Sequence, residues 1–179
     1  APWTTTGYRN VTSPAAPLVE FARARGARWL TVHGEDVAAD YGNARSEAQA
    51  IRDQAGLIIV TWVEGFSISG KDRVRFLNGQ TTNAIKALSM GRGLRAAVCS
   101  GNGKMVADLI VRSNVDRLDC VLERGFAEPA VRHLDRFIIM DDVTIRRTPA
   151  TATLLVAGPA ASDLVERFEV VVLGRELAN

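Results

Sequence analysis

The sequence has few of the residues that build metal centres and disulfide scaffolds. It contains two cysteines, Cys99 and Cys120, and two histidines, His33 and His133, in 179 residues. Two cysteines, each inside an apolar run typical of a strand, are too few for a zinc cluster or a disulfide framework. The single histidines have no sequence neighbours that would make them catalytic, and His133 stands among arginines typical of a solvated helix face. We predict no metal site, reduced thiols and a cytoplasmic protein.

The sequence also has no large excess of charge of one sign and no long apolar run. The 22 basic and 20 acidic residues give a formal net charge of +2 and are spread along the chain, which is not the electrostatic footprint of a nucleic-acid-binding protein. No apolar run approaches the ~20 residues that a membrane-spanning helix needs. The N-terminus, APWTTTGYRN, lacks the regions of a secretory signal. We therefore expect no membrane association and no direct nucleic-acid contact.

Apolar residues, at 47% of the chain, are ample for a packed interior. Strand-like runs and helix-like segments alternate without the regular order of a parallel βαβ protein. The sequence therefore predicts an α+β fold, with a mixed, largely antiparallel sheet and flanking helices. We divide it into an N-terminal arm and helix at 1–40 and a domain at 41–179.

Several element boundaries follow from caps and breakers. Residues 44–57 have helical spacing, with Ser46 as a possible cap and Gly56 at the stop. The run 57–70 has the β-branched and aromatic residues of a strand, with Gly65 and Gly70 marking a bend or turn. Gly79 interrupts a short helix that begins after Gly70. A later helix carries apolar residues on one face, namely Val131, Leu134 and Phe137.

The segment CSGNGKMVADL, from Cys99 to Leu109, contains a Gly-rich turn followed by a lysine. A P-loop needs a further glycine, separated by four residues from the Gly-Lys pair, and Ser or Thr after the pair. Val98 and Met105 stand at those positions. The segment therefore predicts a β-hairpin turn at Asn102-Gly103, with glycines that supply positive φ angles.

The order FLNGQTTN, a strand, the Gly-Asn-Gly hairpin, GKMVADLIV and LDRFIIMDDVTI resembles the folate-binding superfamily of the glycine-cleavage T-protein, an aminomethyltransferase. The branch that looks closest is the folate-binding proteins that assist iron–sulfur cluster assembly and tRNA modification. The resemblance runs from about Tyr41 to Leu164, and Val156 to Pro159 match a further family segment. It implies a T-protein-like folate-binding domain with tetrahydrofolate as cofactor.

The family also suggests site residues. T-protein passes a one-carbon unit from an aminomethyl carrier to tetrahydrofolate, and uses an acid pair in a Gly-Gly-x-x-Asp-Asp-Leu pattern after the hairpin. Here Ala107 replaces the first acid and Asp108 remains. The resemblance implies Asp108 as the catalytic carboxylate. If the first acid is the catalytic one, transfer is lost while folate binding survives.

Polar residues before and within the hairpin complete the predicted folate site. They are Gln80, Thr82 and Asn83 in GQTTN, and Lys104, which could meet the glutamate tail of a folate. Each has a plainer alternative. Asp108 could be an ordinary acid on a solvent face, because strand neighbours point to opposite sides. Gln80, Thr82 and Asn83 equally resemble helix-ending and turn residues, and Lys104 an exposed turn lysine.

The sequence departs from the family elsewhere. IVTWVEG replaces the family's DVSHMG-like pattern, and the chain stops at Asn179 where full-length relatives continue for about as long again. The chain is thus expected to be a fragment or a truncated paralogue, without the later pterin-binding positions or a KGCYxGQE-like motif. Three functions remain open: folate binding, aminomethyl or methyl transfer to tetrahydrofolate, and a non-catalytic, folate-dependent role in iron–sulfur assembly. Self-association or a second chain is expected to cover the exposed apolar surface.

Overall fold

The computed structural model describes residues 16–32, 35–148 and 153–166. Its helices are α1 Ala16–Ala24, α2 Ala44–Asp53, α3 Arg73–Gln80, α4 Ala127–Asp135 and α5 Ala161–Glu166, with a 3-10 turn at Ile85–Ala87. Its strands are β1 Arg28–Val32, β2 Glu35–Asp40, β3 Gly56–Val60, β4 Val63–Ser69, β5 Gly93–Cys99, β6 Met105–Ser113, β7 Arg117–Glu123, β8 Thr144–Thr148 and β9 Thr153–Ala157. The predictions for His33 and for the arm before Ala16 lie outside the described residues.

A five-stranded antiparallel sheet in the order β5-β6-β7-β4-β8 is the centre of the fold. Two smaller antiparallel sheets pair β1 with β2 and β3 with β9. The predicted α+β class with a largely antiparallel sheet and flanking helices is confirmed. No helix within the described ranges is both long enough and apolar enough to cross a bilayer.

Alternation along the central strands separates a core face from a polar face. On β6, the side chains of Ala107, Leu109 and Val111 are 0 to 2% exposed. They belong to the same buried cluster as Leu77 of α3 and Leu134 of α4, so the two helices pack on this side of the sheet. The opposite side, which we call the polar face, carries Arg95, Asp108, Ile110, Arg112 and Asp119.

Three predicted element boundaries are wrong. Asn43, not Ser46, caps α2: its Oδ1 accepts a hydrogen bond from the Ser46 N–H at 3.1 Å. Gly56 begins β3 instead of ending the helix. Helix α3 continues through Gly79, because burial of Phe76 and Leu77 against the sheet outweighs the ~1 kcal/mol that glycine costs within a helix.

The strand predicted over 57–70, with a bend or turn at Gly65, is two strands in different sheets, and Gly65 lies within the second of them. It breaks at Thr61 and Trp62, whose carbonyl oxygens accept hydrogen bonds from the side chain and the backbone N–H of Arg124. The buried Thr61 hydroxyl donates to the Asp36 carbonyl at 2.9 Å. Because these bonds join distant segments, β-propensity within the run did not reveal the break.

The predicted faces of α4 need correction. His133 is 7% exposed and not solvated; its Nδ1 lies 2.8 Å from an Arg136 nitrogen, and its ring contacts Phe137. The helix ends at Asp135, so Phe137 lies beyond it and is 43% exposed. The early helix end rotates Phe137 out of the row that Val131 and Leu134 begin.

Candidate functional site

The Gly-rich segment forms the β5–β6 hairpin. The loop is Gly101 to Gly103: the Ser100 N–H donates to the Lys104 carbonyl, and the Gly103 N–H to the Ser100 carbonyl, each at 2.8 Å. Gly103 has φ of +80°, as predicted, whereas Gly101 does not adopt a positive φ. The loop leads directly into a strand, so its amides do not form the helix-opening phosphate cradle of a P-loop.

The two positions of the family's acid pair lie on opposite sides of the sheet. Ala107 is 2% exposed within the hydrophobic core, and Asp108 lies on the polar face with its side chain 36% exposed. An acid at position 107 would enter the core. The replacement of the first acid by Ala107 therefore removes no carboxylate from the face that carries Asp108.

Asp108 forms an ion pair with Arg95. Its two carboxylate oxygens accept hydrogen bonds from Arg95 Nε at 2.9 and 3.0 Å, and a second guanidinium nitrogen also contacts the carboxylate. These hydrogen bonds, supported by the arginine charge, lower the pKa of Asp108 despite its partial burial. Asp108 is thus a stable carboxylate at neutral pH, able to accept hydrogen bonds or to stabilise a positive charge.

A β-bulge lies immediately before this acid. Val98 pairs with Ala107, whereas Cys99 pairs with Met105, so Val106 is an extra residue on β6. Bulges bend a strand and redirect the side chains that follow, and they are common beside functional sites. This bulge sets the register that puts Ala107 in the core and Asp108 on the polar face.

Thr82 and Asn83 extend the sheet beyond β5. The Thr82 N–H donates to the Ala97 carbonyl, and the Thr82 hydroxyl accepts from the Ala97 N–H, both at 3.0 Å. Asn83 Nδ2 donates to the Arg95 carbonyl at 2.9 Å. Since Ala97 pairs with Asp108, Thr82 lies two strand spacings, about 10 Å, from the acid. Both side chains therefore help to hold the strand that supplies Arg95.

Gln80 and Lys104, the other two predicted folate contacts, differ from Thr82 and Asn83 in their hydrogen bonding. Gln80 ends α3 and is partly buried, and Lys104 is exposed at the end of the hairpin loop. Neither forms a side-chain hydrogen bond within residues 16–32, 35–148 and 153–166. Lys104 precedes Asp108 by four residues, which corresponds to about 13 Å of strand. The structure thus brings Thr82 and Asn83 to the strand beside Asp108, and leaves Lys104 at the far end of β6.

The paired acids Asp141 and Asp142 connect α3 to the chain before β8. Asp141 accepts a hydrogen bond from Arg75 at 2.5 Å, and the Asp142 N–H donates to Asp72 Oδ2 at 2.9 Å. In the part of the chain that the structure describes, no three His, Cys, Asp or Glu side chains form a metal-binding group.

Sequence reasoning missed Arg95 and Arg112 on the polar face. Arg95 lies opposite Ile110 and is therefore the diagonal neighbour of Asp108 on the same face of the hairpin. This relation follows only from the strand register after the bulge. Arg112 follows three core residues of β6 at alternate positions, so a second charged residue in a largely apolar strand was a usable signal.

Residues 18–173 match the model of the GCVT N-terminal domain family. The chain belongs to this family. Among curated relatives of the GCVT domain, it is similar to aminomethyltransferases from Anoxybacillus flavithermus, 27% identical over 88% of this chain and 43% of the relative, and from Rubrobacter xylanophilus, 31% identical over 89% and 44%. This GCVT domain therefore spans less than half the length of those relatives.

A solved structure with the same fold is the glycine cleavage system aminomethyltransferase T from Bartonella henselae. The TM-score is 0.76 over 84% of this chain and 42% of that one, at 20% sequence identity. The likeness establishes the fold of this chain. The matched family model, that of an N-terminal domain, confirms that the chain resembles the N-terminal part of the T-protein.

Proposed function

We propose that this chain binds tetrahydrofolate or a derivative on the polar face of the central sheet, next to Asp108. The observation that carries this proposal is the separation of Ala107 from Asp108: a polar face with an ionised carboxylate persists although the acid pair is incomplete. Membership of the GCVT family and the aminomethyltransferase relatives support a folate ligand. Gln80 and Lys104 remain predicted contacts, and Thr82 and Asn83 would fix the strand that bears Arg95.

Aminomethyl or methyl transfer to tetrahydrofolate is the second candidate. It gains support because the missing acid would have been buried, so Ala107 does not count against activity. The folate-dependent role in iron–sulfur assembly is a third candidate that rests on the sequence resemblance alone. The sequence encoded beyond Asn179 would distinguish the second candidate from the third. YTGE-like residues would favour transfer, and a KGCYxGQE-like motif would favour iron–sulfur assembly.

Calorimetric titration with 5-formyltetrahydrofolate tests the proposed ligand. We expect micromolar binding to the unmodified chain and at least about tenfold weaker binding by Asp108→Asn, because a charge-assisted contact contributes more than 1.4 kcal/mol. Asp116→Asn is the matched control, since that carboxylate is 77% exposed on the β6–β7 turn. Equal affinity of the two variants would remove Asp108 from the site, and no binding by any of them would refute folate binding by this chain.

Three broader predictions accompany this function. We propose that residues 41–179 form the folate-binding unit, that the protein is cytoplasmic, and that it contacts no nucleic acid directly. Self-association or a second chain also stays a prediction. It is compatible with the two-stranded β3–β9 sheet, where Leu57, Leu154 and Leu155 are 46 to 53% exposed. Sedimentation at high protein concentration tests it, and a strictly monomeric result would count against self-association.

A further inference from the structure

Arg112 is a partly buried cation without an ion pair. It lies on the polar face, between Val111 in the core and the end of β6, and it is partly buried. Its Nε atom is buried and has no hydrogen-bond partner, and no acid of the described segments forms an ion pair with its guanidinium. A buried, unsatisfied donor on a charged group costs stability, so its presence calls for an explanation.

The acid opposite Arg112 is already engaged. Asp119 on β7 pairs with Arg112 in the sheet register. Its carboxylate, however, accepts hydrogen bonds from Asn114 Nδ2 and from Arg117 Nε, the latter at 2.8 Å. Arg112 is therefore left as a positive charge on the face that holds Asp108.

The position of Arg112 relative to Asp108 suits an elongated ligand. Asp108, Ile110 and Arg112 alternate along one face of β6, and Asp108 and Arg112 are four residues, or about 13 Å, apart. The p-aminobenzoylglutamate part of a folate can span this separation with the reach of an arginine side chain. The planar guanidinium fork also matches a carboxylate bidentately.

We propose that Arg112 binds a carboxylate of the glutamate tail, so that the folate lies along β6 with its reacting end at Asp108. This inference rests on the proposed folate binding and adds the direction of the ligand. Lys104 is the competing anchor, because it lies about equally far from Asp108 at the other end of the strand. Water screens the attraction between the exposed Lys104 ammonium and a carboxylate. Arg112 is partly buried and forms no ion pair, so its attraction for a carboxylate is screened less.

The test compares two ligands on five proteins. The ligands are tetrahydrofolate and 6-methyltetrahydropterin, which lacks the tail and is measured by competition. The proteins are the unmodified chain, Arg112→Gln, Arg112→Lys, Lys104→Gln and the control Arg132→Gln, whose arginine is 76% exposed on α4, on the other side of the sheet. We expect Arg112→Gln to weaken tetrahydrofolate binding at least about tenfold and to leave pterin binding within about twofold. The control Arg132→Gln should change neither. Arg112→Lys should bind tetrahydrofolate with intermediate affinity, and Lys104→Gln should weaken tetrahydrofolate binding less than Arg112→Gln does.

Thermal unfolding without ligand provides a second readout. Removal of an unpaired, partly buried charge should leave the melting temperature of Arg112→Gln unchanged or raise it, whereas a structural role would lower it. The proposed direction of the ligand is refuted if Arg112→Gln binds tetrahydrofolate normally, or if it loses as much affinity for the pterin as for tetrahydrofolate. It is also refuted if Lys104→Gln is the only variant that weakens tetrahydrofolate binding. A chain that binds neither ligand refutes the proposed function, and the tail site with it.

Discussion

The substitution Ala107→Asp tests the central geometric claim, that the two acid-pair positions face opposite sides. The side chain at 107 is 2% exposed, in a cluster that includes Val98 and Leu109. An aspartate there would bury an unpaired carboxylate, or a neutral acid with few hydrogen bonds, and would also overpack the site. Together these effects should cost about 3 to 5 kcal/mol. A chain of this size melts ~2 to 4 °C lower for each kcal/mol, so we expect a drop of about 6 to 20 °C.

The assay is thermal unfolding followed by circular dichroism at pH 7 and again at pH 5. Burial would raise the folded-state pKa of an aspartate at 107 above its unfolded value. The destabilisation would therefore be full above that folded pKa and would shrink as the pH falls through it. Ala87→Asp, on an exposed alanine of the 3-10 turn, is the matched control and should melt within about 2 °C of the unmodified chain. Equal melting temperatures for both variants would refute the core position of residue 107, and with it the argument that the missing acid is irrelevant to the site.

Three further predictions concern Asp108 and the sheet that bears it. Asp108→Asn should be less stable than the unmodified chain at neutral pH, because Arg95 lowers the folded-state pKa of Asp108. The difference in the free energy of unfolding should vanish as the pH falls below the ordinary aspartate range. Denaturant titrations at a series of pH values measure it. An unchanged difference in acid would show that the carboxylate charge is not what stabilises. Asn83→Ala should cost about 1 kcal/mol in urea unfolding, because the Arg95 carbonyl loses its side-chain donor; an unaltered midpoint would leave Asn83 free for a ligand. Leu77→Ala should cost about 2 to 5 kcal/mol in the same experiment, and a loss below about 1 kcal/mol would mean that α3 does not pack on the core face.

Local patterns were sufficient for the sheet that bears the site. Alternation in MVADLIV predicted that residue 107 and Asp108 point to opposite sides, and the structure confirms this. The Gly-Asn-Gly turn predicted the hairpin. Both depend on interactions between near neighbours in sequence, such as the pleat of a strand and the closing hydrogen bonds of a short loop.

Long-range interactions produced the errors. The break at Thr61 depends on Arg124, which is distant in sequence, and α3 tolerates Gly79 because of buried contacts that propensity does not include. The Arg95–Asp108 pair depends on a bulge that shifts the register by one residue. None of these features leaves a periodic signal in the segment that it changes.

The pairing of Asp108 with Arg95 limits the chemistry that the proposed site can perform. A carboxylate whose pKa is lowered is a weak general base, because it gives up little free energy when it takes a proton. The same property makes it a persistent negative charge, which stabilises a cationic amine that forms during one-carbon transfer. Arg95 is 70% exposed, so a bound ligand can displace its guanidinium and so strengthen the field of the carboxylate at the reacting nitrogen. If this chain contributes to transfer, Asp108 should therefore act by electrostatic stabilisation, and Arg95→Gln should alter the pH dependence of transfer more than ligand affinity.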